Sequence, residues 1–481
     1  THTHTRQSSS AASDVYKRQV YYDAPAGDIN TTVECYAALR ASGMAADDER
    51  LIRARRWIGN HGGLSATRVF TRYWLALIGE WPWQYTPNLP PEIIRFPGWF
   101  PFNIYHFASW ARATIVPLCV VSARRLVRPL PPDQRLDELF PDGRDNADYA
   151  LPARGGLLSW TRLFLGVDRV LHAVQRLGFT PGRESAIRRC LEWIVRHQDA
   201  DGAWGGIQPP WIYSLLALHA SGYSRSHPVM AAGLHSLEGY WSCETVDGRR
   251  MTQACESPVW DTWLSLLALL DCGVKYEESE VMRRAVAWAL ARQVRVPGDW
   301  SISLPDVEPG GWAFERANDH YPDVDDTAVA LIVLARLRAQ GAPIAGLDAA
   351  IERAVRWVEA MQCANGGWAA FDRDNTRQLL TKVPFCDFGE TLDPPSVDVT
   401  AHVLEALGEL GSDTSEPVVA RAVAYSRREQ EPGGSWFGLW CDNQIYGTGA
   451  VLHARRAGGE DMGEDYVQRA SGWMGYCQQP H

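Results

Sequence analysis

The chain has 481 residues, which exceeds an ordinary single domain and leaves two domains, or one large toroid or repeat array, as the expected arrangements. Its net charge of -10 provides no basic surface for a polyanion, which argues against nucleic acid as a partner. None of the ten cysteines forms a C-x-x-C pair, so the sequence predicts reduced thiols rather than a zinc or redox site.

The N-terminal segment shares no pattern with the rest of the chain. It begins without Met and has no apolar signal core, so we treat residues 1–19 as a tag or sequence artefact. Farther along, the longest apolar runs, such as ATIVPLCVVSA at residues 113–123, fall short of the roughly 20 residues that a bilayer-spanning helix needs. The sequence therefore predicts no spanning helix and leaves binding to a membrane surface open.

A pattern of Arg, an aromatic residue, Gln, Gly and Trp recurs along the chain, each time after a segment whose apolar residues return every three or four positions. A second such segment separates consecutive copies, and strand-like alternation is nearly absent. The sequence therefore predicts an all-α fold of helix pairs stacked in a ring or solenoid, with structural repeat tryptophans. The four copies are Arg189, Trp193, Gln198, Gly202, Trp204; Arg284, Trp288, Gln293, Gly298, Trp300; Arg353, Trp357, Gln362, Gly366, Trp368; and Arg421, Tyr425, Gln430, Gly434, Trp436.

Residues 318–335, NDHYPDVDDTAVALIVLA, place three aspartates at the start of an apolar run. Pro322 followed by acids suits a first helical turn, because carboxylates complement the positive end of the helix dipole. One carboxylate suffices for that purpose, and three within four positions repel one another, which raises the pKa of at least one. The residues alone do not decide whether the aspartate cluster is a helix cap or an acid store.

Several segments together resemble the squalene–hopene cyclases, over about residues 20–481. They are HYPDVDDTA, SPVWDTWLSLLALL, NGGWAAFDRDN, VPFCDFGE, DPPSVDVTAHVLEAL and GSWFGLWCDNQIYGTGAV. The resemblance implies two α/α-barrel domains with a large apolar cavity between them, in a homodimeric, monotopic enzyme on the cytoplasmic side of the membrane. We assign residues 20–26 and 255–481 to the catalytic barrel and residues 27–254 to the second, and expect no metal and no cofactor.

The same resemblance gives roles to the acidic residues. Asp325 is implied to be the acid that protonates a carbon–carbon double bond, with Asp323 and Asp326 flanking it, which favours the acid store over the cap. Asp398 and His402 stand four positions apart and so share a helix face. The resemblance implies that His402, held as a cation by Asp398, hydrogen-bonds Asp325 and strengthens it as an acid.

A cyclising polyene carries positive charge that any lone pair would quench, so the cavity walls must stabilise that charge with aromatic faces. Phe371 stands where the best-known family members have Tyr, so this chain keeps the aromatic ring there and lacks the hydroxyl. Phe385 and Cys386 resemble residues at a constriction of the substrate channel. The aromatic residues that the resemblance nominates are Trp110, Trp260, Phe314, Phe371, Trp440 and Tyr446.

Two other classes of protein fit parts of the pattern. A protein prenyltransferase β-subunit is also a helical toroid, but it needs a zinc site of Asp, Cys and His. In a non-catalytic helical-repeat scaffold, the acidic cluster would be a solvated helix end. Within the cyclase family, Asp-Val-Asp-Asp indicates an unoxidised polyene such as squalene or a related polyprenyl chain, and leaves hopene or hopanol as the product.

A fifth copy of the repeat starts at Arg469, Trp473 and Gln478, and the sequence stops before the closing Gly-x-Trp. We therefore expect a truncated enzyme that is poorly soluble and is inactive or releases incompletely cyclised products.

Overall fold

The computed structural model describes residues 27–140, 142–151, 159–178, 180–239, 241–244, 248, 250–386, 391–440 and 443–478. The assignments made for residues 1–19 and 20–26 lie outside the described residues. The fifth repeat is described only as far as Gln478.

The described part of the chain is mostly α-helical, which confirms the predicted class. An antiparallel pair of short strands, β1 (Ser242–Glu244) and β2 (Arg250–Thr252), places Cys243 opposite Met251. The helices are α1 (Ile29–Ala41), α2 (Glu49–Asn60), α3 (Val69–Leu77), α4 (Ser109–Arg124), α5 (Trp160–Arg176), α6 (Arg183–Arg196), α7 (Gln208–Ala220), α8 (Pro228–Glu238), α9 (Pro258–Asp271), α10 (Glu280–Leu290), α11 (Val324–Ala339), α12 (Leu347–Ala360), α13 (Val397–Glu409), α14 (Pro417–Arg428), α15 (Gln444–Ala457) and α16 (Asp465–Cys477).

The helices from α9 onward alternate between an inner and an outer layer. The inner helices α9, α11, α13 and α15 pack side by side in that order, and α10, α12, α14 and α16 each pack on the inner helix before them. Helix α11 is apolar and buried on almost every side, as an inner helix must be. Helix α12 instead buries one stripe that includes Ile351, Ala354 and Val358, the pattern of a helix with a solvent face. This is the α/α-barrel arrangement that the resemblance implies.

Two hydrophobic cores divide the structure. One lies mainly within residues 33–241 and the other within residues 259–470. The segment between α12 and α13 crosses over, because Ala370, Phe371 and Leu392 pack in the first core. The proposed domain boundary at residues 254 and 255 stays a prediction.

A buried arginine joins the two cores. Arg112 of α4 is 1% exposed. Its Nε lies 2.9 Å from Asp299 Oδ2, and its Nη2 lies 2.7 Å from Asp372 Oδ1. On the other side of Asp299, Oδ1 lies 2.8 Å from Nε2 of His197, directly after α6. The two carboxylates supply the opposite charge that a fully buried guanidinium requires.

The repeat glutamines tie each outer helix to the next. Gln362 Nε2 donates to the carbonyl of Gly366, at 2.9 Å, and to the carbonyl of Val418 in α14, also at 2.9 Å. In the same turn, Trp368 Nε1 donates to the carbonyl of Val358 near the end of α12, at 2.7 Å. We call this set of bonds the glutamine clasp. It gives the repeat tryptophans the structural role that the sequence indicates.

The predicted turn of the second copy is wrong. Gln293 Nε2 donates to the carbonyl of Gly310 at 2.7 Å, and Trp312 Nε1 donates to the carbonyl of Ala289 at 2.8 Å. Thus Gly310 and Trp312, rather than Gly298 and Trp300, close this clasp. The glutamine bonds the segment that returns to the end of its own outer helix, and the loop between the glutamine and that segment is longer in this copy than in the others. A short sequence template therefore selected the first Gly-x-Trp after the glutamine.

This correction is testable with two matched substitutions. Trp312 and Trp300 are both buried, but Trp300 Nε1 has no acceptor among the described residues. We expect Trp312→Phe to lower the free energy of unfolding by about 1 kcal/mol more than Trp300→Phe, because only Trp312 loses a hydrogen bond. Denaturant unfolding followed by circular dichroism measures the difference. A larger loss for Trp300→Phe would restore the original repeat alignment.

Candidate active site

A cavity of about 420 Å³ lies between the two cores, within the range of roughly 300–1,000 Å³ typical of ligand sites. Its wall is mainly apolar, and the acidic residues occupy one part of it. Helix α4, the loop after α6 and the starts of α9, α11 and α15 contribute to the lining, as do the segments before α11 and around residues 370, 392 and 440. The lining residues are Ser109, Trp110, Ala113, Gly205, Ile207, Cys255, Ser257, Trp260, Phe314, Asn318, Tyr321, Asp323, Asp325, Asp326, Ala370, Phe371, Leu392, Leu439, Trp440 and Tyr446.

Asp323 is the N-cap of α11. Its Oδ1 accepts hydrogen bonds from the backbone nitrogens of Asp325, at 2.6 Å, and Asp326, at 3.2 Å. These bonds satisfy two of the amides that a helix start leaves without partners. The interpretation of the cluster as an acid store rather than a helix cap therefore needs correction for Asp323, because Asp323 caps the helix. The side chains of Asp325 and Asp326 reach the cavity.

Asp325 forms the central contact of the site with His402 of α13. His402 Nδ1 lies 2.7 Å from Asp325 Oδ1, and His402 Nε2 lies 3.4 Å from the hydroxyl of Tyr446. Burial alone would lower the pKa of His402, yet the charge of Asp325 and its hydrogen bond raise that pKa to about 9. The imidazole is therefore a cation near neutral pH and donates a charge-assisted hydrogen bond to Asp325.

The two flanking aspartates favour the protonated form. Burial raises the pKa of Asp323 well above its usual range, and repulsion from Asp325 adds to this effect. The pKa of Asp326 is raised in the same direction by burial and by repulsion from both neighbours. Asp326 Oδ1 is buried with no hydrogen-bond partner among the described residues. Both shifts have the direction that an acid store requires.

Within the described residues, Asp398 forms no hydrogen bond or ion pair with His402. Asp398 Oδ2 accepts from the backbone nitrogen of Trp440 at 2.8 Å, and its Oδ1 accepts from that of Val399 at 3.1 Å. Among the described residues, the carboxylate in direct contact with His402 is that of Asp325. Asp398 favours the cationic form of His402 only at a distance. Its local effect is to position Trp440.

The structure brings together most of the aromatic residues named from the sequence. The ring centroid of Trp110 lies 5.7 Å from that of Phe371 and 5.5 Å from that of Trp440, in T-shaped contacts. The Phe314 centroid lies 6.3 Å from that of Phe371. Trp260 lies on the side of the acid, 6.3 Å from the ring of His402. Aromatic rings thus form a large part of a cavity wall that is mainly apolar.

Phe385 and Cys386 lie elsewhere. Both are buried in the first core, and the ring of Phe385 stacks at 6.3 Å from that of Phe107. Neither belongs to the described lining of the cavity. Residues 387–390 of the same motif lie outside the described residues, so a constriction at this place stays a prediction.

Sequence reasoning missed several residues of the site. Tyr321 and Asn318 line the cavity and lie in the segment just before the aspartates, so their place in the sequence could have indicated that they belong to the site. Asp393 was also missed. It is fully buried, and burial raises its pKa to about 7 although backbone hydrogen bonds act in the opposite direction. No local spacing marks Asp393, because its partners precede it by more than twenty positions.

The two alternative classes fit this geometry poorly. A scaffold would leave Asp325 solvated, whereas its exposure is 9% and it lines the cavity. A zinc-dependent prenyltransferase would need thiol and imidazole ligands. Within the described residues, the group with ligand atoms close enough for a metal is Asp199, Asp201 and Glu315, which are all carboxylates.

Comparison with known proteins identifies the family of the chain. A profile of the squalene-hopene cyclase N-terminal domain matches residues 13–245, and one of the C-terminal domain matches residues 256–481. The squalene–hopene cyclase of Alicyclobacillus acidocaldarius is 46% identical over 432 residues, which cover 90% of this chain and 67% of that protein. The chain belongs to the squalene–hopene cyclase family.

Other relatives widen the comparison. A squalene-hopene cyclase of Schizosaccharomyces japonicus is 38% identical over 90% of this chain and 66% of its own length. A dammaradiene synthase of Dryopteris crassirhizoma is 37% identical over 95% of this chain and 67% of its own length. The chain thus spans about two thirds of these relatives. The names of these relatives of the squalene–hopene cyclase family member thus include both squalene–hopene cyclases and a dammaradiene synthase.

The contact between His402 and Asp325 predicts a pH-dependent stability. The pKa of His402 rises on folding from 6.5 to about 9. Its stabilising contribution is therefore complete below about pH 6.5 and is lost as the pH rises through about 9. We expect the difference in free energy of unfolding between the parent and His402→Asn to shrink by about 3 kcal/mol across this interval. Denaturant unfolding at a series of pH values measures it.

The control for this experiment is His453→Asn, which changes an exposed histidine on α15. Its stability profile should run parallel to that of the parent. If the His402→Asn profile were also parallel, the ion pair with Asp325 would be refuted.

Proposed function

We propose that this protein catalyses the proton-initiated cyclisation of squalene to pentacyclic hopene or hopanol, an isomerase reaction of the intramolecular transferase type in bacterial hopanoid biosynthesis. The observation that carries the proposal is the carboxyl group of Asp325, which hydrogen-bonds cationic His402 and opens onto a cavity walled by aromatic rings. Family membership gives the substrate class, and the Asp-Val-Asp-Asp motif favours the unoxidised polyene over an epoxide.

The first step starts once Asp325 holds a proton on Oδ2, with Oδ1 still accepting from His402, and it transfers that proton to a terminal double bond of the substrate. The O–H bond of the acid breaks, the π electrons form a new C–H bond, and a tertiary carbocation remains. His402 stabilises the carboxylate that is left, because its Nδ1–H already points at Oδ1. An isolated alkene is a very weak base, so this stabilisation of the conjugate base is what the acid most needs.

Ring closure then moves the positive charge along the cavity. In this proposal the π faces of the lining residues Trp110, Phe314, Phe371 and Trp440 stabilise a cation without forming a bond to it. The final cation either loses a proton, giving hopene, or adds water, giving hopanol. Product analysis after incubation with squalene distinguishes these two outcomes and identifies any shorter cyclisation.

Asp325→Asn tests the assignment of the acid. The amide keeps the shape of the side chain but supplies no proton, so we expect squalene consumption to fall by at least about 100-fold with the fold retained. The matched control is Asp319→Asn, an exposed aspartate in the same segment, which should stay within about twofold of the parent. Near-parental turnover by Asp325→Asn would refute the assignment.

We further propose that the enzyme binds the cytoplasmic surface of the membrane as a homodimer and takes its water-insoluble substrate from lipid. Among the described residues, no helix combines the length and apolar character needed to cross a bilayer. Helix α5, however, exposes an apolar stripe, with Arg162 and Arg169 also exposed beside it. Such a face suits insertion into the boundary of an anionic bilayer. The stripe consists of Trp160, Leu163, Val167 and Val170.

Flotation with liposomes tests this surface. We expect the parent to float with vesicles that contain anionic lipid, and Val170→Glu to float several-fold less, because a charge would enter the apolar boundary. Val281→Glu is the matched control, since Val281 on α10 is 70% exposed and Val170 is 61% exposed. Equal flotation of both variants would contradict docking through α5.

A further inference from the structure

Asp393, just before α13, holds three consecutive backbone amides. Its Oδ1 accepts from the nitrogen of Ala370 at 3.2 Å, and its Oδ2 accepts from those of Phe371 at 2.7 Å and Asp372 at 2.8 Å. Asp393 itself is fully buried. A buried carboxylate that collects successive N–H groups fixes the backbone of the turn, because all three donors must stay directed at it.

This turn carries three parts of the active site. The carbonyl of Ala370 accepts a hydrogen bond from the nitrogen of Val324, the first residue of α11, at 2.7 Å. The ring of Phe371 lines the cavity. The carboxylate of Asp372 receives Nη2 of Arg112, at 2.7 and 2.9 Å from its two oxygens. A shift of the turn would therefore move three features together: the start of α11, the ring of Phe371 in the cavity wall, and the ion pair between Asp372 and Arg112.

The ring of Phe371 is the centre of the aromatic wall. It contacts Trp110, Phe314 and Trp440, with centroid separations of 5.7, 6.3 and 6.1 Å. Stabilisation of a cation by a ring falls off when the ring is displaced, and a displacement near 1 Å at a reacting centre has large kinetic effects. The position of this one backbone segment therefore governs where along the cavity a cation is best stabilised.

We infer that Asp393 is a positioning residue that determines how far cyclisation proceeds before the cation is lost. The inference rests on the proposed cyclase function. Asp393 does not belong to the described lining of the cavity, so it acts through Phe371 rather than on the substrate. A merely space-filling role does not explain it, because burying a carboxylate costs more than burying an apolar side chain of the same size.

The test replaces Asp393 with Asn. The variant keeps the size of the side chain, but its NH₂ group faces a backbone N–H, so at least one of the three hydrogen bonds is lost. The matched control is Asp374→Asn. The Asp374 carboxylate accepts from the backbone nitrogen of Ala364 at 2.8 Å, outside the turn. Parent and both variants are incubated with squalene, and products are separated by ring number.

We expect Asp393→Asn to raise the fraction of products with fewer than five rings by about threefold or more, with the parent and Asp374→Asn alike. A general loss of folded protein would lower all products in proportion and leave the fraction unchanged. That result, or an unchanged product pattern at full turnover, would overturn the inference.

Amide hydrogen exchange of the same proteins supplies a readout that needs no turnover. We expect exchange at residues 370–372 to accelerate about tenfold in Asp393→Asn, with no change within α13. Unaltered protection of residues 370–372 would overturn the inference by itself. If the parent failed to cyclise squalene while exchange accelerated as expected, the proposed function would fail and the positioning of the turn by Asp393 would stand.

Discussion

The hydrogen bond between His402 Nδ1 and Asp325 Oδ1 is the interaction on which the site depends. It introduces the positive charge that allows three aspartates to share a buried helix start. Without it, the conjugate base of the acid would have no charged partner. The structure also separates two tasks that one sequence motif combines, since Asp323 caps α11 and leaves Asp325 free to act as the acid.

The arrangement around this bond follows from the barrel. Inner helices α11, α13 and α15 start at the same end, so Asp325, His402 and Tyr446 come close although each belongs to a different repeat. The outer helices carry the glutamine clasps and leave the inner helices free to be apolar. Polar chemistry is thereby confined to the helix starts, where backbone amides are available to hold carboxylates.

Residues that share a motif with a helix start could be predicted from the sequence. Of this kind are the three aspartates, whereas His402 and the cavity tryptophans were nominated by the family resemblance and the all-α fold follows from periodicity. Directions of side chains could not be predicted in the same way. Spacing places Asp398 and His402 on one face, but the Asp398 carboxylate turns to the amide of Trp440, 42 positions later in the chain. The amides that Asp393 holds are equally hidden, because nothing local requires them.

The long loop of the second repeat has a consequence for how such barrels diversify. Its clasp closes at Gly310 instead of at a short turn, and lengthening a loop adds little to the entropy of closing it. The additional residues include Asp299, which reaches Arg112 and His197 in the other core. A repeat can thus keep its framework contact unchanged while its inserted segment evolves into the joint between two halves of an enzyme.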